Sequence, residues 1–190
     1  LEYKTTKLVL NLIPPGSFMM GSPEAELGHN CYGYNDEMLH KVTISKPFYM
    51  AVFEMSQQQY SLVMGSNPSG YKGDSRPVEY VTYDGIRGAT LGASWPKHRQ
   101  VDATSFMGKI RSRTGMTFDL PTEAQWEYAC RAGTSTPLNS GKGYGWETCN
   151  EVARWIRNAY NSGTDYVYDG KPLPEKPIVL TFDDGYYNNY

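Results

Sequence analysis

The sequence predicts an α+β fold made of short strands, short helices and abundant loop. Three observations carry that prediction. Short apolar runs are stopped by Pro and Gly; helix starts and stops are written in capping residues; and 19 Gly and 12 Pro in 190 residues call for many turns.

The elements follow in chain order. Residues 8–13, Leu-Val-Leu-Asn-Leu-Ile, form a strand candidate stopped by Pro14-Pro15-Gly16. Residues 21–39 are rich in Gly, Pro, Asn and acid and read as a loop. Residues 42–52 return to strand. Ser56 with Gln59 writes a capping box, so a short helix follows with Tyr60, Val63 and Met64 on one face and Gly65 as its stop. Residues 66–75 are a polar turn region, and residues 78–82 a short strand. Residues 85–100 read as an insertion loop. The next helix starts near Asp102, spaces Phe106, Ile110 and Arg113 at helical intervals, and stops at Gly115.

A third helix has both ends marked. Thr122 is an N-cap candidate, with Gln125 three residues on to complete a capping box. Glu123 places negative charge in the first turn, where the helix dipole favours it. Trp126, Ala129 and Cys130 share a face that should be buried, Arg131 sits in the last turn, and Gly133 can take the left-handed stop.

Bulk properties narrow the function. The length fits one domain with a real core, and 39% hydrophobic with 14% aromatic content argues against disorder. A formal charge of −2 with scattered Lys and Arg gives no electrostatic case for nucleic acid. No apolar stretch is long enough for a membrane span. Residue 1 is Leu with no charged-then-apolar leader after it, so the chain reads as a processed or trimmed product. The expected location is extracytoplasmic. Cys31, Cys130 and Cys149 fit either one disulfide plus a free thiol or three reduced thiols. No CxxC pair supports a zinc site, and Cys130 reads first as a small buried hydrophobe.

The run Leu120-Pro121-Thr122-Glu123-Ala124-Gln125-Trp126-Glu127-Tyr128-Ala129 closely resembles the hallmark of the formylglycine-generating enzyme family, also called the sulfatase-modifying-factor family. The resemblance extends upstream. Ile13-Pro14-Pro15-Gly16-Ser17-Phe18-Met19-Met20-Gly21-Ser22 is similar to the family's opening strand and turn. Residues 40–50, His-Lys-Val-Thr-Ile-Ser-Lys-Pro-Phe-Tyr-Met, resemble its second strand. Glu54-Met55-Ser56-Gln57-Gln58-Gln59-Tyr60 stands where the family usually reads Glu-Val-Thr-x-x-Gln-Tyr, and Arg76-Pro77-Val78-Glu79-Tyr80-Val81-Thr82-Tyr83-Asp84 fits the lead into the second helix. The resemblance spans about residues 8–158 and implies a C-type-lectin-like fold.

Beyond Asn158 the family's Gly-Asn-Val-Trp-Glu-Trp and Arg-Gly-Gly-Ser-Trp elements and its copper-binding cysteine pair do not occur, so the usual C-terminal half of the fold is expected to be lacking. The expected organisation is a sulfatase-modifying-factor-like domain over 1–165, a Pro- and Gly-containing linker over 166–177, and a strand-turn tail over 178–190. In the tail, Thr181-Phe182-Asp183-Asp184-Gly185 resembles the first motif of polysaccharide deacetylases, which would make Asp183 the general base and Asp184 a metal ligand. Three readings fit this tail: the edge of a second domain, an extraneous join, or a plain closing strand whose acids sit in a turn.

The function expected from this reading is non-catalytic binding or interaction. The alternatives are a formylglycine-generating oxidase acting on sulfatase cysteine, and the leading part of a metal-dependent polysaccharide deacetylase. Tyr160, Tyr166, Tyr168, Tyr186 and Tyr187, set among Asn, Ser, Asp and Gly, form a candidate surface for a protein or carbohydrate ligand. The resemblance implies calcium as a cofactor, with Asp119, Glu123 and Glu127 as acids that could sit near it, although solvated helix faces account for such acids as well. Copper is not expected, because no cysteine pair stands in the family's catalytic context. Trp95, Trp126, Trp146 and Trp155 could line a sugar site, but core packing is the commoner fate of Trp.

Overall fold

A computed structural model of the chain describes residues 2–26, 29, 37–143 and 145–152. It is a mixed α/β protein with strands β1 (Leu10–Ile13), β2 (Gly16–Met20), β3 (His40–Ile44) and β4 (Phe48–Ala51), then helices α1 (Gln57–Met64), α2 (Tyr83–Arg87), α3 (Phe106–Thr114), α4 (Glu123–Arg131) and α5 (Trp146–Val152). Short 3-10 turns stand at Glu2–Lys4 and Gly92–Ser94. The chain divides into two compact units. One comprises Leu1–Asn11 with Ala51–Thr122, the other Leu12–Met50 with Glu123–Tyr190. β1 pairs with β4.

The first unit is built on α1 and α3. Ser56 and Gln59 form the capping box the sequence predicts: Ser56 Oγ accepts from Gln59 N–H at 3.2 Å, and Gln59 Oε1 accepts from Ser56 N–H at 2.9 Å. Ser105 caps α3 through Gly108 N–H, and Gly65 and Gly115 end the two helices in the left-handed region. Tyr60 and Val63 of α1 pack on Phe106, Met107 and Ile110 of α3, with the Tyr60 and Phe106 rings stacked at 5.2 Å and 4°. Burying side chains of this size contributes about 1.5–3 kcal/mol each. Val78, Val81, Ile86, Val101, Phe118 and Leu120 close around this cluster.

A guanidinium fixes the other side of the same unit. Arg87 is fully buried. Its Nε and Nη2 donate to the two carboxylate oxygens of Asp119 at 2.7 and 3.1 Å, its Nη1 donates to Gly92 O at 2.5 Å, and Nη2 also reaches Gln100 O at 3.2 Å. Arg111 holds the same carboxylate at 2.9 Å. Burial alone would make the Arg87 cation easier to lose, but the hydrogen bonds with Asp119 and Tyr83 more than reverse this.

In the second unit β2 and β3 form an antiparallel hairpin with Gly16 opposite Ile44 and Met20 opposite His40. α4 packs on one face of it. Phe18 meets Tyr128 at 5.3 Å, and Gly16 lies so close that a Cβ there would stand 2.3 Å from the Tyr128 hydroxyl.

Four expectations about local structure change. The strand expected over 42–52 is two strands, β3 and β4, because Pro47 supplies no backbone N–H to a ladder. Residues 78–82 are not a strand. Val78 and Val81 both reach the core, three positions apart instead of two, and Tyr80 takes φ +54° between them. Residues 85–100 contain the end of α2 and a 3-10 turn instead of loop alone. The helix expected from Asp102 starts at Phe106. Asp102 instead accepts from Thr90 N–H, Thr90 Oγ1 and Leu91 N–H at 3.1, 2.7 and 2.7 Å, tying down the loop before it, while Arg113 is exposed and donates to the Leu62 carbonyl.

Candidate functional site

The hallmark sequence forms α4, starting one residue after Thr122 and carrying Gln125 in its first turn, as the cap pattern requires. Thr122 and Gln125 both engage neighbours. Arg131 lies in the last turn, and Gly133 takes φ +88° beyond it. The helix is less buried than its pattern suggests: Trp126, Ala129 and Cys130 are each half-buried, and no α4 residue is fully enclosed.

The polar side chains of α4 converge on one backbone turn. Gly21 N–H donates to Glu127 Oε1 at 2.9 Å, and Arg131 Nη2 donates to Gly21 O at 2.7 Å. Arg131 Nε closes the triangle by donating to the same Glu127 oxygen at 2.7 Å. Both partners are less than one-fifth exposed, so the pair is stronger than a surface ion pair. A turn at the end of β2 is thereby fastened to a helix more than a hundred residues later.

Cys130, the residue after the hallmark run on α4, carries a thiol. Its Sγ is half-buried and accepts from Asn139 Nδ2 at 3.1 Å. Burial pushes its thiol up, against smaller opposing effects of Asn139 and Arg131, so it stays protonated at neutral pH. Cys130 and Cys149 are both free thiols. Among the described residues no three His, Cys, Asp or Glu side chains gather as a metal-holding group.

The acids considered for calcium are otherwise engaged. Asp119 accepts from Arg87 and Arg111, Glu127 from Arg131 and Gly21, and Glu123 is exposed. Asp119 and Glu127 are thus neither on solvated faces nor disposed toward a cation. Trp95 is half-buried with the Arg87 guanidinium 5.7 Å from its ring centre. Asp183, Asp184, Tyr160, Tyr166, Tyr168, Tyr186, Tyr187, Trp155 and Cys31 lie outside the described residues, as does the expected linker over 166–177.

The structure adds two tyrosines that sequence reasoning passed over. Tyr71 is 75% and Tyr80 76% exposed, on neighbouring turns of the first unit. Tyr80 holds a left-handed backbone that costs a non-glycine residue about 1–2 kcal/mol. Periodicity assigned Tyr80 to a strand and Tyr71 to a polar turn; an aromatic residue between Gly70 and Gly73 was the available signal.

A small α/β protein whose hallmark helix bolts down the turn of its opening hairpin is the class that these observations define. The chain belongs to the sulfatase-modifying-factor family: residues 3–176 match the model of the sulfatase-modifying factor enzyme 1-like domain. The match continues past Asn158. Chaperone protein LppX of Paenibacillus barcinonensis is 34% identical over 116 residues, covering 53% of this chain and 40% of the relative. The fold is similar to that of PvdO from Pseudomonas aeruginosa (TM-score 0.53, 23% identity, covering 72% of this chain and 53% of that one). It is also similar to Treponema denticola variable protein 1 (TM-score 0.58, 20% identity, covering 87% and 66%). The chain spans less than two thirds of the length of each of these three proteins. Among the described residues no helix is long and apolar enough to cross a membrane.

Proposed function

We propose that this chain is a non-catalytic binding or interaction module of the sulfatase-modifying-factor family, with a C-type-lectin-like fold. The observation that carries the reading is the use made of α4. Glu127 and Arg131 are spent on the Gly21 turn, and the Cys130 thiol is half-buried, with burial pushing its pKa up. An oxidase needs soft ligands with access to substrate, and α4 offers a single soft group, the Cys130 thiol, half-buried against Asn139. The motif acts as a fastener, which leaves function to exposed surface. The relative named as a chaperone supports a role exercised by binding.

The test is direct. The full chain is incubated with copper(I), a reductant, oxygen and a sulfatase-type cysteine peptide, and aldehyde formation is followed by hydrazide trapping and mass spectrometry. The proposal expects no aldehyde above the copper-only background. Enzyme-dependent formation of formylglycine would establish the oxidase instead.

A further inference from the structure

We propose that the turn over residues 2–7 is a pH-released strap, closed over Phe53 and Glu54 while the Glu54 carboxyl is protonated and opened when it ionises. The Tyr3 ring stacks on Phe53 at 5.9 Å and 23°. The Lys4 ammonium stands over the same ring, 4.4 Å from its centre. Gln59, buried in the first turn of α1, donates from Nε2 to Lys7 O at 2.7 Å, while its Oε1 is committed to the capping box. Inside the strap, the N–H groups of Thr5, Thr6 and Lys7 all donate to Glu2 O, at 3.1, 2.8 and 2.8 Å.

A single turn of this length has no stability of its own, because nucleating a helix fixes more dihedrals than its first hydrogen bonds offset. The strap is therefore ordered only while it is docked on Phe53 and Gln59, and it can open without the rest of the unit. Opening bares the Phe53 ring and returns water to the neighbouring Glu54.

The charges around Glu54 decide the sign. Lys4 is the cation that acts on its carboxyl, which places the strap beside it. The strap's other titratable groups are Tyr3, stacked on Phe53, and Glu2 and Lys7, which pair with each other in solvent. α1 carries no charged residue, and its Tyr60 is packed in the core. The segment bonded to residues 55–58 brings Asp74 and Arg76, which are opposite in sign. Burial raises the Glu54 carboxyl above its ordinary 4.5 more strongly than its own backbone hydrogen bond and the Lys4 charge lower it. Closure is thus full below pH 4.5 and weakens as pH climbs through the closed-state value, because the carboxylate gains more from water than from Lys4.

Hydrogen–deuterium exchange of the full chain at about pH 4.5 and about pH 8, corrected for intrinsic exchange rates, tests the strap. Protection of the Thr5, Thr6 and Lys7 amides should fall at the higher pH, about tenfold for each unit by which closure raises the carboxyl. The Lys109 amide, bonded to Ser105 O in α3, should keep its protection. Glu54→Gln, which cannot ionise, should protect the three strap amides equally at both pH values. Lys4→Met, which removes the opposing charge and keeps Glu54, should enlarge the loss. Strap protection that is unchanged or higher at the higher pH, a loss shared by Lys109, the same loss in Glu54→Gln, or a loss that does not grow in Lys4→Met would overturn the proposal.

Discussion

Glu127 and Arg131, one turn apart on α4, grip opposite polar groups of the same residue: Glu127 takes the N–H of Gly21 and Arg131 its carbonyl. The two side chains also bond each other at 2.7 Å, so neither hydrogen bond to Gly21 is free to rotate away. A helix read from sequence as capped and apolar-faced is thus also a two-pronged clamp on a distant turn.

Breaking the clamp should be costly because the survivor is left poorly solvated. Arg131→Ala is expected to lower stability by about 2 kcal/mol, given partial exposure of both partners. Arg131→Lys should recover little, since an ammonium cannot serve Glu127 and Gly21 in the fork that the guanidinium provides. Urea unfolding monitored by Trp fluorescence measures both.

The Arg87 site should be less forgiving. Arg87→Met removes a fully buried cation and leaves Asp119 with Arg111 alone. Loss of one member of such a pair costs about 3–5 kcal/mol. Denaturant unfolding of the variant should show a midpoint far below that of Arg131→Ala, and a smaller loss would mean that Arg111 re-centres on the carboxylate.

Glu54 makes stability depend on pH. Burial pushes its carboxyl above the ordinary value of 4.5, with its own backbone hydrogen bond and the Lys4 charge opposing more weakly. Because the folded pKa is raised, its contribution is full below 4.5 and is lost as pH climbs through the folded value. Glu54→Gln should therefore raise the melting temperature at pH 7 relative to the parent and lose that advantage near pH 4. An advantage that grows toward acid pH would show that the Lys4 attraction dominates.

Gly88 admits no side chain. It sits at φ +99°, and a Cβ would stand 2.2 Å from the Asp102 carboxyl carbon, which organises the Thr90–Leu91 turn. Gly88→Ala should cost about 2 kcal/mol or more through backbone strain and displacement of Asp102 together. Calorimetry would register this as a lowered melting temperature, more severe than that of Asp102→Ala.

Much of this fold was legible because local chemistry decides local structure. Ser56 with Gln59, Gly65 and Gly115 fixed helix ends that the structure reproduces, and the hallmark run identified the family. The sequence could not reveal which distant groups polar residues would meet. Nothing in the spacing of Glu127 and Arg131 indicates Gly21, and nothing in Asp119 indicates two arginines. Tyr80 was missed for a related reason. A Val-Glu-Tyr-Val run looks like a strand, and only tertiary packing of Val78 and Val81 on the same core turns the residue between them outward. The candidate tyrosines from 160 onward and the Asp183-Asp184 pair lie beyond the described residues.

Copper(I) titration against a competing chelator, with copper-to-thiolate absorption followed on the parent chain and on Cys130→Ser, bears most directly on the central claim that the hallmark helix fastens and does not catalyse. The account predicts that the chain takes no stoichiometric copper from the chelator and that the two spectra coincide. Tight binding of one copper per chain, with the thiolate band lost in Cys130→Ser, would contradict it.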